Sequence, residues 1–196
     1  MAKKMNLKYL VITSVDRDDL PDRGANQFAD CIAETRKLCP DMGFEILVPD
    51  FRGAEQKALE TLDPVRPFVF AHNVETVPAL YPIARMGGNY KESLDLLAQA
   101  KKAWPEIITK SSLMLGLGET DEQLVQTMKD LRSVACDRLT IGQYLKPSKS
   151  SLDVIEYVTP ERFTQWKDTA LDLGFSWVIS EPYARSSYFA EKENAR

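Results

Sequence analysis

The chain has 196 residues, of which 44% are hydrophobic and 28% charged, an ordinary globular composition large enough for one sizeable core. Its net charge of −4 spreads over mixed acids and bases, which leaves no basic footprint for nucleic acid. No apolar run approaches the ~18 residues of a membrane span, and the start carries no secretory pattern, so the sequence reads as a soluble, cytoplasmic protein.

The first residues, "AKKMN", read as the last turn of a helix, with Asn6 as its cap. A strand follows at 9–14 ("YLVITS"). Further apolar runs predict strands at 44–49, 67–72, 111–117, 138–145 and 175–180, rich in Val, Ile, Leu and Phe as strands buried on both faces should be. Between them lie helical patterns. Residues 24–38 place Phe28, Cys31, Ile32, Thr35 and Leu38 at helical spacing. Shorter helices are predicted near 54–62 and 76–85. A helix over 90–103 opens on Asn89 and Glu92, and one over 121–135 on Thr120 and Gln123, both spaced as capping pairs. The last, 160–173, has Thr159 as cap and Pro160 at the first helical position.

Six strands alternating with helices imply βαβ units and a parallel sheet, either doubly wound or a (β/α) barrel. Polar clusters follow every strand: "SVDRDD", "PDFRG", "HNVET", "GLGET", "GQYLKP" and "SEPYARSS". Six similar strand ends favour a barrel mouth over a single switch point, although six units are two short of closure. The predicted fold is a partial (β/α) barrel of TIM type with about six βα units.

Single motifs say less. "GLGET" (116–120) has the look of a phosphate loop, but Glu119, Asp121 and Glu122 put carboxylates where phosphate would sit and suit the helix dipole unaided. The lone His72 reads first as a satisfied structural histidine. Asn73 and Glu75 alternate on an extended segment and so point one way, an arrangement suited to ribose hydroxyls or an ammonium. Lys110 and Arg85 are cations that suit a carboxylate, or plain surface charge. Gln143 and Tyr144 are polar groups at a strand end. The acids of 14–24 read as a solvated loop with local ion pairs. Cys31, Cys39 and Cys136 show no metal-binding spacing and read as reduced thiols.

Taken together and in order, "VITSVDRDDLPDRGA", "ILVPDFRG", "HNVETVPALY", "GLGET", "LTIGQYLKPS", "YVTPE" and "RSSYFA" resemble the lipoyl synthase family of radical S-adenosylmethionine enzymes. The resemblance implies a partial barrel and sulfur insertion at carbons 6 and 8 of an octanoyl chain held on a protein lysine. It implies S-adenosylmethionine and two [4Fe-4S] clusters, one that generates a radical and one that supplies sulfur. The implied partners are octanoylated lipoyl-carrier domains or the glycine-cleavage H protein, and a reductant protein, with no nucleic acid and no membrane.

The family's CxxxCxxC motif and second cysteine set precede the "VITSVDRDDL" strand, and the three cysteines here match neither. The chain is thus expected to be the C-terminal part of such an enzyme and inactive alone, with residues 1–180 an incomplete barrel and 181–196 an extension bearing "RSSY". A subunit of a split enzyme, or a non-catalytic barrel fragment that binds an adenosyl ligand, stay open as alternatives. By resemblance, Thr13, Ser14, Asn73, Glu75, Arg85, Lys110 and Gln143 are the candidates for cofactor or substrate contact. Ser187 matches the family's iron-ligating serine, and Arg185, with Tyr188, would hold its loop. Glu181 stands where the family usually has glycine.

Overall fold

A computed structural model describes residues 2–188 and residue 190. Six strands form one parallel sheet: β1 (Tyr9–Thr13), β2 (Gly43–Leu47), β3 (Val69–Ala71), β4 (Ile108–Leu115), β5 (Arg138–Gln143) and β6 (Trp177–Ser180). Their order in the sheet is their order in the chain. A doubly wound sheet must reverse direction at a switch point, whereas successive crossovers of one hand without reversal roll a sheet toward a barrel. The predicted partial barrel is therefore the observed architecture, with β1 and β6 as the edges of an open sheet among the described residues.

The helices are α1 (Ala25–Leu38), α2 (Glu55–Leu62), α3 (Tyr81–Ala84), α4 (Tyr90–Ala103), α5 (Asp121–Ser133) and α6 (Pro160–Asp172). Local signals set their ends. Asn89 accepts from the N–H groups of Lys91 and Glu92, Thr120 and Gln123 form a reciprocal capping box, and Thr159 accepts from Arg162 ahead of Pro160. The single helix predicted near 76–85 is instead a 3-10 turn at Pro78–Leu80 followed by the four residues of α3. Pro78 opens the first piece and Pro82 is the second residue of the other, first-turn positions where a proline's missing N–H costs nothing. Residues 2–7 close like a helix C-terminus. Leu7 N donates to Ala2 O, Asn6 N donates to Lys3 O, and Asn6 takes φ of 50°.

Strand side chains alternate between two environments. Phe44, Ile46, Phe70, Leu113, Leu115, Leu139, Ile141 and Val178 point to the helix side. There they meet Phe28, Ile32, Leu62, Leu96, Met128 and Trp166 in the main core. Along α1 only part of the expected stripe is buried: Phe28 and Ile32 are, whereas Leu38 is 62% exposed at the helix end. The other strand face carries polar residues that water does not reach, among them Glu45, Lys110, Ser112 and Thr140.

Candidate functional site

The sharpest departure from regular structure follows β3. Glu75 N donates to Ser112 O and Glu75 O accepts from Met114 N, so pairing with β4 resumes after a break. Between these bonds Thr76 N donates to Val74 O, and Glu75 takes φ of 66° at the centre of a tight γ-turn. A non-glycine residue rarely holds this conformation, and surrounding bonds must keep it there. Val74 N donates to Ser111 Oγ (3.2 Å), and Tyr81 Oη donates to Val74 O (2.8 Å).

The turn brings two expected site residues together. Asn73 Nδ2 donates to Glu75 Oε1 at 3.1 Å and lies 3.5 Å from Ser186 Oγ. Asn73 Oδ1 is buried with no hydrogen-bond partner. A buried carbonyl oxygen left unpaired is costly, and a ligand N–H or O–H would satisfy it. Burial pushes the Glu75 carboxyl above its usual range, against the hydrogen bond from Asn73 and the charge of Arg85.

Behind the turn sits Asp50, on the loop after β2 and 8% exposed. Its Oδ1 accepts from Arg85 Nη2 at 2.8 Å and lies 3.2 Å from His72 Nε2. Burial pushes Asp50 up, but neighbouring His72 and the charge of Arg85 outweigh it and hold its pKa at about 2. His72 Nδ1 lies 3.0 Å from Val48 O, whereas its Nε2 is buried with no hydrogen-bond partner, so only one side of the ring is satisfied as a structural histidine would be. Arg85 Nη1 also donates to Tyr81 Oη (3.1 Å) and Ser93 Oγ (2.5 Å).

His72, Asn73, Glu75 and Arg85 line a cleft of about 430 Å³ at the C-terminal ends of β1 to β3. Thr13 and Ser14 form its β1 side, Leu47 and Pro49 its β2 side, and Asn73, Glu75 and Arg85 its β3 side. Five of the seven expected contact residues thus meet in one place. A larger cavity of about 580 Å³ lies between α2 and α4, where Trp104 Nε1 donates to Asp63. None of the expected residues lines it.

Lys110 and Gln143 lie elsewhere. Lys110 is the third residue of β4 rather than the residue before a strand, and its Nζ lies 3.3 Å from Glu45 Oε1, both buried on the concave face. Gln143 points to the helix side, away from the cleft. Its Nε2 donates to Leu115 O, Tyr144 O and Glu156 O, and its Oε1 accepts from Val158 N. Its amide nitrogen has no donor left for a ligand.

The same region explains "GLGET". Glu119 Oε1 accepts from Gly116 N (2.6 Å) and Oε2 from Leu117 N (2.9 Å), so the loop's N–H groups already hold a carboxylate of this chain. A Cβ on Gly116 would collide with Gln143 Nε2 and Glu156 O, which is why the backbone needs glycine here.

The segment after β6 crosses the mouth over β5. Glu181 N donates to Ile141 O, and Gln143 N donates to Pro182 O. Gly142 makes room, since a Cβ there would strike Ala184 O. Arg185 Nη1 bonds back to Ala184 O, and Tyr188 N donates to Arg185 O. The serine that reaches the cleft is Ser186, while Ser187 is exposed. Phe189 and residues 191–196 of the expected extension lie outside the described residues.

Cys136 does not suit an iron–sulfur cluster. Cys136 is buried and its thiol is pushed up to about 12 by desolvation, whereas a ligand must be a thiolate. No group of three His, Cys, Asp or Glu that could hold a metal occurs among the described residues.

Sequence reasoning passed over Asp50, Glu45, Tyr81 and Ser186. Glu45 carried a signal, a lone acid inside the apolar run "FEILVP", which in a buried strand demands a partner. The others carried none, because their roles depend on residues distant in sequence.

Comparison with known proteins agrees with this geometry. The pattern of the Radical SAM superfamily matches residues 1–131. Lipoyl synthase of Aeromonas hydrophila is 52% identical over 189 residues, 96% of this chain and 59% of that protein. The lipoyl synthase of Syntrophotalea carbinolica is 56% identical over 187 residues, 95% of this chain and 60% of that protein. The chain spans about three fifths of the length of the curated relatives it matches. Among solved structures, methylornithine synthase (PylB) superposes with TM-score 0.62 at 13% identity, covering 96% of this chain and 63% of that one. Streptococcus suis SuiB bound to S-adenosylmethionine gives TM-score 0.54 at 11% identity, covering 97% of this chain and 55% of that one. At such identities the two likenesses speak to the fold alone.

Proposed function

The chain belongs to the radical SAM superfamily, and we propose that it forms the strand-end cleft of a lipoyl synthase, the enzyme that inserts two sulfur atoms into a protein-bound octanoyl chain. The observation that carries this reading is identity of 52–56% to lipoyl synthases over 95–98% of the chain. The cleft supports it. A radical S-adenosylmethionine enzyme must hold a zwitterionic amino-acid end and a ribose. Asn73 Oδ1 is an unused acceptor for a ribose hydroxyl or ammonium, and Glu75 an adjacent carboxylate of the right sign for the ammonium. Arg85 places a cation on the same side of the cleft, and Thr13 and Ser14 place hydroxyls on the β1 side. S-adenosylmethionine, when bound, supplies the radical precursor; this chain's residues bind and orient it.

Lys110, paired with Glu45, sets the polarity of the concave face that the octanoyl chain would enter. Gln143 acts by position, tying the loop after β5 to that after β4. Ser187 is the proposed iron ligand and Arg185 the residue that shapes its turn, both on the strength of the family resemblance. The part of the reaction proposed for this chain's residues is binding and positioning. Octanoylated carrier domains or the H protein, and a reductant protein, are the proposed partners, and the cytoplasm the proposed compartment. No helix among the described residues is long and apolar enough to cross a membrane.

The test is calorimetric titration of the chain with S-adenosylmethionine, with Asn73→Ala in parallel. Saturable binding that weakens in the variant supports the reading. Equal heats from both proteins, or none, count against it.

A further inference from the structure

We propose that Asp50 is a positioning residue for the cleft: it draws Arg85 away from Glu75 and, through Arg85 and Tyr81, fixes the turn that presents Asn73 and Glu75. The inference deepens the reading of the cleft as an S-adenosylmethionine site, and only its affinity test rests on that reading.

The geometry is a chain of three contacts. Asp50 Oδ1 accepts from Arg85 Nη2 (2.8 Å), Arg85 Nη1 donates to Tyr81 Oη (3.1 Å), and Tyr81 Oη donates to Val74 O (2.8 Å). Val74 O is also the acceptor of the γ-turn centred on Glu75. A cationic donor on the phenol oxygen polarises the phenol and strengthens the bond that it donates. Tyr81 is 6% exposed and Asp50 8%, so water competes little for either.

Arg85 has a second possible partner. Its charge acts on Glu75 as well as on Asp50, and all three line or back the same cleft. Were Arg85 to pair with Glu75, the guanidinium would fill the space that a ligand ammonium needs. Asp50 prevents this because it is itself fixed from other sides, by His72 at 3.2 Å and by Arg52 Nη2 at 3.7 Å. His72 is in turn anchored on Val48 O, at the end of β2. The charged groups facing Arg85 are therefore Asp50 and Glu75, with His72 and Arg52 on the far side of Asp50.

The experiment follows the Glu75 carboxyl by ¹³C NMR titration in the wild-type chain, Asp50→Asn and Asp50→Glu, without any ligand. Asp50→Asn should lower the Glu75 pKa by about one unit, a tenfold change in proton affinity, as Arg85 turns to it. Asp50→Glu should restore most of the wild-type value. An unchanged Glu75 titration in Asp50→Asn overturns the proposal, and so does an equal fall when Asp50→Asn is made in an Arg85→Ala background, since the Asp50 charge also raises Glu75 directly and the proposal needs the part that runs through Arg85. Should Asp50→Asn fail to fold, Tyr81→Phe tests the same chain with the Asp50–Arg85 pair intact. It should shift the Asn73 side-chain amide resonances, and unshifted resonances overturn the proposal. In the affinity test, Asp50→Asn should bind S-adenosylmethionine about tenfold more weakly, and equal affinity in a correctly folded variant counts against Asp50. If the wild-type chain binds none, the reading of the ligand fails, while the ligand-free titration still decides the role of Asp50.

Discussion

The carboxylate of Glu119 folds back onto its own loop and accepts the N–H of Gly116 at 2.6 Å. With Leu117 N at 2.9 Å on its other oxygen, it occupies the place an external anion would take. Glu119→Ala should therefore cost about 2 kcal/mol, the scale of charge-assisted bonds lost with their backbone donors left unpaired. Urea denaturation measures this. Inorganic phosphate should leave the melting temperature of the wild-type chain unchanged, and a rise that saturates with phosphate would refute the internal-anion account.

Two glycines make opposite predictions about where damage spreads. Gly116 has φ of 98° and abuts Gln143 and Glu156, so Gly116→Ala strains the backbone and overpacks a buried site. A loss of more than about 2 kcal/mol is expected. Gly142 abuts the backbone of buried Ala184, in the segment after β6. Gly142→Ala should displace residues 182–188 and leave the sheet intact. Limited proteolysis should find a faster cut near Arg185 with little change in the urea midpoint.

Gln143 separates support from contact. Gln143→Ala would strip partners from Glu156 O and Val158 N, whereas Leu115 O keeps its bond from Tyr144 N. The expected loss is about 1–2 kcal/mol, as for part-buried backbone groups left unpaired. A residue that contacts ligand directly would instead lower affinity at unaltered stability. Comparing the melt of Gln143→Ala with its binding isotherm distinguishes the two.

What could be read from the sequence was what local chemistry decides. Thr120 with Gln123, and Thr159 with Pro160, start helices through bonds to their own next turn, so the residues and the structure coincide. Strand positions were legible through apolar runs, and the choice of a barrel through polarity at every strand end. The direction of single side chains was not. Gln143 and Thr13 both close strands, yet one points to the helices and the other lines the cleft, because the period of two decides the face. Asp50 and Ser186 escaped notice for a related reason: their partners Arg85 and Asn73 lie far along the chain.

β1 is an edge strand whose residues Tyr9–Ile12 are only half-buried. Unpaired backbone groups beside Leu10 and Ile12 form a template for another strand. The chain should associate as its concentration rises, and Leu10→Lys should reduce this by placing a charge on the edge. Light scattering after size exclusion measures it. A monodisperse monomer at all concentrations would show that this edge is protected.

Acid should act on the cleft in two steps of opposite sign. The pKa of Glu75 is raised in the folded chain, so its charged form is disfavoured there. The associated penalty is present above the folded value and disappears as pH falls below the unfolded one, which gives a small gain on mild acidification. Asp50 does the reverse, because its pKa is lowered from 3.8 to about 2. Its stabilisation is complete above about pH 4 and is lost between pH 4 and 2, amounting to about 2 kcal/mol. Urea midpoints from pH 7 to 2.5 should thus rise slightly and then fall. Asp50→Asn should start lower at neutral pH and lose less below pH 4, since it has no carboxylate to protonate there. Parallel acid limbs in the two proteins would mean that Asp50 does not hold its charge through Arg85 and His72.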